Sequence, residues 1–185
     1  MSAVVIGASA GAVEALSRIL PRLPVDYPLP LLIVVHIPET PSTLAALFAD
    51  KCRIAVREPE DKEPIAPGTA YFAPPGYHML VEAGGTIALS VEPPVLYSRP
   101  SIDVLFESAA DIFAASLTGV VLTGANDDGA RGAAAIVAAG GTVLVEDPAT
   151  AYASAMPAAA LARCRDSQPM SLDAVADFLL SLVAS

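Results

Sequence analysis

The sequence is poor in basic residues. It has 10 Lys and Arg against 20 Asp and Glu, which gives a formal net charge of −10. The few basic residues form no cluster along any segment, whereas proteins that bind nucleic acid neutralise phosphates with grouped Lys and Arg. The acidic excess also argues against an anionic membrane surface as a partner. We therefore expect a protein that binds no nucleic acid and does not insert into a membrane.

Cysteine and long apolar runs are scarce as well. Cys52 and Cys164 lie far apart and match no metal-binding or redox spacing, so we expect two unpaired thiols. The longest apolar run, near Leu31 to Val35, is much too short to cross a bilayer, which takes about 20 residues. No basic segment precedes the first apolar run, so no signal peptide is predicted. These absences predict a soluble cytoplasmic protein.

Apolar residues, by contrast, make up 54% of the 185 residues, and many of them are alanine. This length suits one domain, which we place over residues 1–185. Short apolar runs alternate with helical patterns along most of the chain. Repeated strand–helix units predict an α/β fold with a doubly wound, mostly parallel, Rossmann-like sheet and helices on both faces. The segments 77–82 and 86–91, joined by Ala83-Gly84-Gly85, predict an antiparallel β-hairpin that interrupts this alternation.

The first strand is followed at once by a turn of small residues and a helical pattern. Gly7-Ala8-Ser9-Ala10-Gly11 fits the G-x-S-x-G pattern of a nucleophile turn. The free N–H groups at the helix start favour negative charge beside Ser9, which suits a hydroxyl nucleophile next to an oxyanion. Two alternatives are a nucleotide-binding loop and a turn that only packs the helix on the strand. The nucleotide fingerprint, however, requires glycine at Ser9 and an acidic residue at His36.

Three chemically capable residues follow predicted parallel strands. Ser9 follows the first strand, His36 ends the second, and Asp128 follows the strand that contains Val120. Because ligands bind at the carboxyl ends of such strands, these residues can supply a nucleophile, a base and an orienting carboxylate. Ser-His-Asp triads occur in different chain orders on unrelated folds, so the order Ser, His, Asp is acceptable.

Each triad candidate has a competitor or a simpler role. His36 could be an ordinary polar residue at a strand end; we prefer it as the base to His78, the other histidine of the chain, because of that position. Asp127 and Asp128 could both cap the following helix, or one could cap while the other orients the histidine. Position alone does not separate the two aspartates.

Seven ordered sequence blocks, which together extend over nearly the whole chain, resemble the catalytic domain of the chemotaxis-receptor methylesterases (CheB-type). They are Ile6-Gly7-Ala8-Ser9-Ala10-Gly11, His36-Ile37-Pro38, Pro67-Gly68-Thr69-Ala70-Tyr71, Ala73-Pro74-Pro75-Gly76-Tyr77-His78-Met79, Arg99-Pro100-Ser101-Ile102-Asp103, Leu122-Thr123-Gly124-Ala125-Asn126-Asp127-Asp128-Gly129-Ala130 and Ala155-Met156-Pro157. The resemblance implies a methylesterase catalytic domain with a β-hairpin near its active-site cleft. It implies hydrolysis of methyl esters on glutamate side chains of chemoreceptor helices and, in many members, deamidation of receptor glutamines. No metal or cofactor is implied.

Carried over position by position, the resemblance implies Ser9 as nucleophile, His36 as base and Asp128, not Asp127, as acid. Backbone N–H groups near Ala10 and Ala125 are the implied oxyanion donors. Three further residues are candidates for the substrate cleft: Arg99, His78 and Met156.

Some positions depart from the usual family pattern. The family usually has threonine or serine at Ala10, glycine at Ala12, glutamine at Val35 and Met-Gly at Ala125-Asn126. We expect Asn126 to be able to replace the glycine because asparagine tolerates positive φ. Family members also commonly carry an N-terminal receiver domain, and we expect none before the first strand here, so that the domain would be either constitutively active or regulated by a separate protein. Two further alternatives are a general esterase for small esters and a catalytically silent receptor-binding module.

Overall fold

The computed structural model describes residues 2–36 and 42–183. Two residues of the second motif, Ile37 and Pro38, lie outside the described residues. None of the helices in the described ranges is both long and apolar enough to cross a membrane.

Within residues 2–36 and 42–183, seven parallel strands form the main sheet, and two antiparallel strands form a separate hairpin. The strands are β1 (Ala3–Ala8), β2 (Leu31–Val35), β3 (Ala55–Arg57), β4 (Thr69–Phe72), β5 (His78–Glu82), β6 (Thr86–Ser90), β7 (Leu117–Val121), β8 (Thr142–Glu146) and β9 (Pro169–Met170). The main sheet has the order β3-β4-β2-β1-β7-β8-β9, and β5 pairs with β6. The predicted doubly wound sheet and its added hairpin are thus confirmed.

In the part of the chain that the structure describes, six α-helices flank the sheet: α1 (Ala12–Ile19), α2 (Leu44–Lys51), α3 (Ile102–Phe113), α4 (Ala130–Ala138), α5 (Ala155–Arg163) and α6 (Leu172–Ser181). Alternate side chains of the strands enter two separate cores. Helices α1, α2 and α6 cover one face of the sheet, and α3, α4, α5 and the hairpin cover the other. Because both faces are covered, every residue of β1, β2 and β7 is buried, which explains why these strands are continuously apolar or small in sequence.

The central strand β1 lies between β2 and β7, so the chain winds away from it in both directions. The carboxyl ends of these three strands therefore open onto the crevice where ligands bind in such sheets. The strand ladder continues just past the strand ends, because His36 N–H donates to Ala8 O at 3.1 Å and Ser9 N–H donates to Thr123 O at 2.9 Å. Ser9, His36 and the segment after β7 thus lie side by side.

Several local predictions were wrong. The helical spacing of Leu44, Leu47 and Phe48 predicts that all three face inward from the second helix, but Leu47 is 38% exposed and Phe48 alone of α2 is buried. The apolar pattern predicts a first helix from about Ala10, and α1 begins at Ala12 because the turn occupies two more residues. The short edge strand β9 was missed because two residues give no detectable alternation.

Candidate active site

Ser9 lies in the turn between β1 and α1, in a half-buried position. Gly11 ends this turn with φ of 85°, a conformation that favours glycine. A Cβ at Gly11 would lie 2.7 Å from the Cβ of Tyr152, so the position also excludes a larger residue for lack of space. The glycine lets the chain turn tightly from strand to helix and keeps Ser9 at the carboxyl edge of the sheet.

Backbone N–H groups of the turn are available beside Ser9. Ser9 O accepts the Ala12 N–H at 2.9 Å, which leaves the N–H groups of Ala10 and Gly11 as the free donors of the turn among the described residues. The other candidate donor, the N–H of Ala125, belongs to an exposed residue in the loop after β7. Such donors at a helix start stabilise a developing oxyanion.

His36 and Asp128 are in direct contact. The Nε2 of His36 lies 2.7 Å from the Oδ2 of Asp128. The histidine side chain is 11% exposed, and the aspartate side chain is fully buried. An acceptor at Nε2 holds the imidazole proton on that nitrogen, so Nδ1 is the nitrogen left to accept a proton.

Asp128 also receives three donors from the start of α3. Its Oδ1 accepts the Ser101 hydroxyl at 2.9 Å and the Asp103 N–H at 3.0 Å, and its Oδ2 accepts the Ile102 N–H at 2.7 Å. Burial would by itself raise the pKa of Asp128, but the hydrogen bonds from His36 and from the α3 backbone outweigh it, so this pKa lies below its usual range. The carboxylate is thus held in its charged form at the N-terminus of a helix.

A second aspartate makes the reciprocal contact. Oδ1 of Asp103, in the first turn of α3, accepts the N–H of Gly129 at 3.0 Å and of Gly132 at 2.7 Å, both at the start of α4. Asp128, just before α4, therefore caps α3, and Asp103, in the first turn of α3, caps α4. Asp127, in contrast, is exposed, and its side chain makes no hydrogen bond to the described residues. The alternative in which one of the adjacent pair, Asp127 or Asp128, caps α4 is wrong.

A cavity of about 590 Å³ opens beside Ser9 and His36. Most of its walls are small or apolar residues, with single charged groups at the edge; the described lining is Ser9, Gly11, Ala12, Val13, Glu14, Ser17, Val35, His36, Leu44, Lys51 and Tyr152. The Ser9 hydroxyl and the His36 ring share this cavity but are not hydrogen-bonded to each other in the described structure. Catalytic hydrogen bonds of this kind often close only when substrate binds.

The three cleft candidates lie outside the described lining of this cavity. His78 is 1% exposed; its Nδ1 accepts the Ser101 N–H at 3.2 Å and its Nε2 donates to Pro93 O at 3.1 Å. Arg99 donates to the carbonyls of Val91 and Glu92. His78 thus fastens the hairpin to the start of α3, and Arg99 braces the loop after β6.

Met156, the third candidate, is fully buried, and it packs against Gly124. A Cβ at Gly124 would lie 2.5 Å from the Met156 Cε, and the Met156 N–H donates to Gly124 O at 3.0 Å. Met156 therefore supports the loop after β7 through its contacts with Gly124.

Two departures from the family pattern have a structural outcome. Asn126 is able in principle to replace the glycine, but it does not adopt positive φ; instead its Oδ1 accepts the Asp128 N–H at 3.2 Å, as in an Asx turn. Val35 is 6% exposed and contributes an apolar wall to the cavity.

Sequence reasoning missed three residues of this region. Thr123 and Glu146 form a buried network behind the nucleophile turn, and Tyr152, 79% exposed, borders the cavity. Glu146 ends β8 and Thr123 lies two residues after the end of β7, which is the same positional signal that pointed to the triad candidates. Among residues 2–36 and 42–183, no group of three or more His, Cys, Asp or Glu side chains is arranged to hold a metal ion.

Comparisons with known proteins agree with this geometry. The family described as CheB methylesterase matches residues 4–179. A Leptospira interrogans protein, provisionally named protein-glutamate methylesterase/protein-glutamine glutaminase, is 41% identical over 181 residues, or 97% of this chain and 94% of that protein. The crystal structure of the Thermotoga maritima CheB methylesterase catalytic domain superposes with a TM-score of 0.92 at 32% identity, covering 98% of both chains.

Two other relatives are longer. Protein-glutamate methylesterase/protein-glutamine glutaminase 2 of Caulobacter vibrioides is 38% identical over 190 residues, covering 100% of this chain and 55% of the relative. A protein of Symbiobacterium thermophilum with the same two activities in its name is 44% identical over 155 residues, covering 83% and 43%. The chain spans about half the length of these two relatives.

Proposed function

Because this chain belongs to the CheB methylesterase family, we propose that it removes methyl esters from glutamate side chains of methyl-accepting chemotaxis receptors. The products are glutamate and methanol. The observation that carries the proposal is the buried His36–Asp128 pair beside Ser9, at the carboxyl edge of three adjacent strands. Such an arrangement favours a serine hydrolase, and the family comparison supports the class of ester.

In the proposed mechanism, Ser9 Oγ attacks the ester carbonyl while Nδ1 of His36 takes its proton. Asp128 keeps the imidazole in the tautomer protonated on Nε2 and stabilises the cation that forms. The N–H groups of Ala10 and Gly11, with that of Ala125 as a further candidate, bind the oxyanion. His36 then returns the proton to the departing methoxide, and water, activated by the same histidine, releases the glutamate and regenerates Ser9.

Deamidation of receptor glutamines is a second activity of the same site. The names of the Leptospira, Caulobacter and Symbiobacterium relatives include protein-glutamine glutaminase. The chemistry differs only in the leaving group, which His36 protonates to ammonia instead of methanol.

The substrate also determines where we place the protein. Since the methylated segments are cytoplasmic receptor helices, we propose a cytoplasmic enzyme. We also propose control by a separate regulatory protein, which would have to cover the cavity edge; Val13, 43% exposed, and Tyr152, 79% exposed, offer apolar contact there.

The test is methanol release from a methyl-esterified chemoreceptor cytoplasmic fragment. Ser9→Ala should lower kcat by about 10⁴-fold or more if the triad acts as a unit. Ser181→Ala, at the exposed end of α6, is the matched control and should keep the wild-type rate.

Three other outcomes would contradict the proposal. A loss below tenfold for Ser9→Ala would remove Ser9 from the nucleophile role. Turnover of a small chromogenic ester without turnover of the receptor fragment would indicate a general esterase. Binding of the receptor fragment with no turnover of either substrate would indicate a silent binding module.

A further inference from the structure

Thr123 holds the nucleophile turn from the neighbouring strand segment. Its carbonyl accepts the Ser9 N–H at 2.9 Å, and its hydroxyl donates to Ala10 O at 2.7 Å. Its methyl carbon lies 3.1 Å from the position that a Cβ on Gly11 would take. The carbonyl, hydroxyl and methyl groups of Thr123 thus lie against three successive residues of the turn, Ser9 to Gly11.

These contacts fix the peptide groups that surround the nucleophile. A peptide group is planar, so a hydrogen bond to its oxygen also sets the direction of its N–H. The Ala10 carbonyl shares its plane with the Gly11 N–H, and the Ser9 carbonyl, held by the Ala12 N–H, shares its plane with the Ala10 N–H. Thr123 therefore directs one of the two proposed oxyanion donors and holds the peptide group before Ser9.

Thr123 is itself held by a buried carboxylate. Oε2 of Glu146, at the end of β8, accepts the Thr123 N–H at 2.7 Å, and the Glu146 residue is 2% exposed. Burial raises the pKa of Glu146, against the lowering effect of the Thr123 hydrogen bond. The Thr123 hydroxyl also accepts the Ala153 N–H at 2.9 Å, which ties the loop after β8 to the same point.

We propose that Thr123 is a positioning residue that sets the oxyanion geometry of the Ser9–Gly11 turn, and that Glu146 acts through Thr123. Neither side chain is assigned contact with the reacting atoms. This inference rests on the proposed serine-hydrolase function and specifies what keeps that site aligned.

The first test is Thr123→Val, which keeps the shape of the side chain and removes its hydroxyl. We expect kcat for methanol release to fall about 10–100-fold with KM within about twofold, because small misplacement of oxyanion donors acts on the transition state. The pH profile should keep its wild-type shape, since the His36–Asp128 pair is untouched. Thr123→Ser, which restores the hydroxyl, should recover most of the rate.

Thr118→Val is the matched control, because Thr118 is a buried threonine in β7, near the end of that strand that is farther from Thr123. It should leave kcat unchanged.

Two variants of Glu146 test its action through Thr123. Glu146→Gln keeps an oxygen that can accept the Thr123 N–H, and its kcat should stay within about threefold of wild type. Glu146→Leu removes that acceptor and should show the same fall in kcat as Thr123→Val.

A second readout separates this inference from the proposed function. The rate at which a fluorophosphonate probe modifies Ser9 reports the reactivity of the turn without any receptor substrate. If the wild type reacts with the probe but releases no methanol, the proposed substrate is wrong, and slower modification of Thr123→Val still supports the positioning role. If Thr123→Val reacts with the probe and turns over substrate within twofold of wild type, the positioning role is overturned.

Folding is controlled in the same experiment. Thermal melting of each variant identifies loss of structure, and rates are taken well below each Tm. If Thr123→Val does not fold, Thr123→Ala, which makes no new contact, carries the same prediction and the same refuting outcome.

Discussion

Replacing Asp128 by asparagine removes a charge and one acceptor from a group that receives four donors. The four donors are His36 Nε2, the Ser101 hydroxyl and the N–H groups of Ile102 and Asp103, at 2.7–3.0 Å. An asparagine has one acceptor oxygen, so the two donors that face its NH2 group lose their charged acceptor. At about 1.5–3 kcal/mol for each hydrogen bond to a charged group, the loss is about 3–6 kcal/mol.

Such a loss is large beside the roughly 5–15 kcal/mol that separates a folded domain from its unfolded state. We expect Tm to fall by roughly 10–20 °C for a chain of this size. The catalytic effect should be greater than the loss of stability explains. The amide of asparagine donates towards Nε2 of His36, which moves the imidazole proton to Nδ1 and blocks its use as a base. A comparable exchange in a Ser-His-Asp triad lowers kcat about 10⁴-fold.

The assay is methanol release at a temperature well below the Tm of the variant, with circular dichroism as a measure of folding. Asp127→Asn is the matched control; its side chain is exposed, so stability should change by less than about 0.5 kcal/mol and the rate by less than about twofold. Equal effects of the two substitutions, or a folded Asp128→Asn protein within tenfold of the wild-type rate, would refute the assignment of Asp128.

Three other predictions concern the same region. Asp103→Ala leaves two N–H groups at the start of α4 without an acceptor and should cost about 2–4 kcal/mol in chemical denaturation; a change below about 1 kcal/mol would contradict the capping role. Because the pKa of Asp128 lies below its usual range, the stability that Asp128 contributes is present above about pH 4 and is lost as pH falls through its folded pKa. The Tm difference between wild type and Asp128→Asn should therefore shrink on acidification from about pH 7 to about pH 3. A constant Tm difference would contradict this account. Gly7→Ala places a Cβ 2.4 Å from Cγ2 of Ile102 and should destabilise by about 1–3 kcal/mol, and an unchanged denaturation midpoint would show that α3 moves aside freely.

The strands of the sheet are predictable because burial on both faces leaves a clear sequence pattern. The sequence predicts Leu31–Val35 with its observed bounds, since five consecutive apolar residues in an alternating α/β chain are typical of a strand covered on both faces. The strand-end rule then places Ser9 and His36 at one edge of the sheet from sequence order alone. The extent of the domain, residues 1–185, stays a prediction.

The finer features of the site depend on side-chain direction, which sequence position does not encode. Asp127 and Asp128 are neighbours in sequence, yet one points to solvent and the other is buried against α3. His78 was a cleft candidate because it lies in a motif, but the hairpin turns its ring into the interior. Thr123 was hidden within a recognised motif because its role depends on hydrogen bonds to a segment more than a hundred residues earlier in the chain.

The reciprocal capping of α3 by Asp128 and of α4 by Asp103 has a consequence for synthesis of the protein on the ribosome. Ser9 and His36, the proposed nucleophile and base, are synthesised well before Asp128, which follows His36 by 92 positions. Until α3 has formed and the chain after β7 has returned to meet it, His36 has no carboxylate to orient it. We therefore expect a nascent chain, or one truncated before Asp128, to lack ester-cleaving activity, because the contacts of Asp128 with His36 and with the start of α3 cannot yet form.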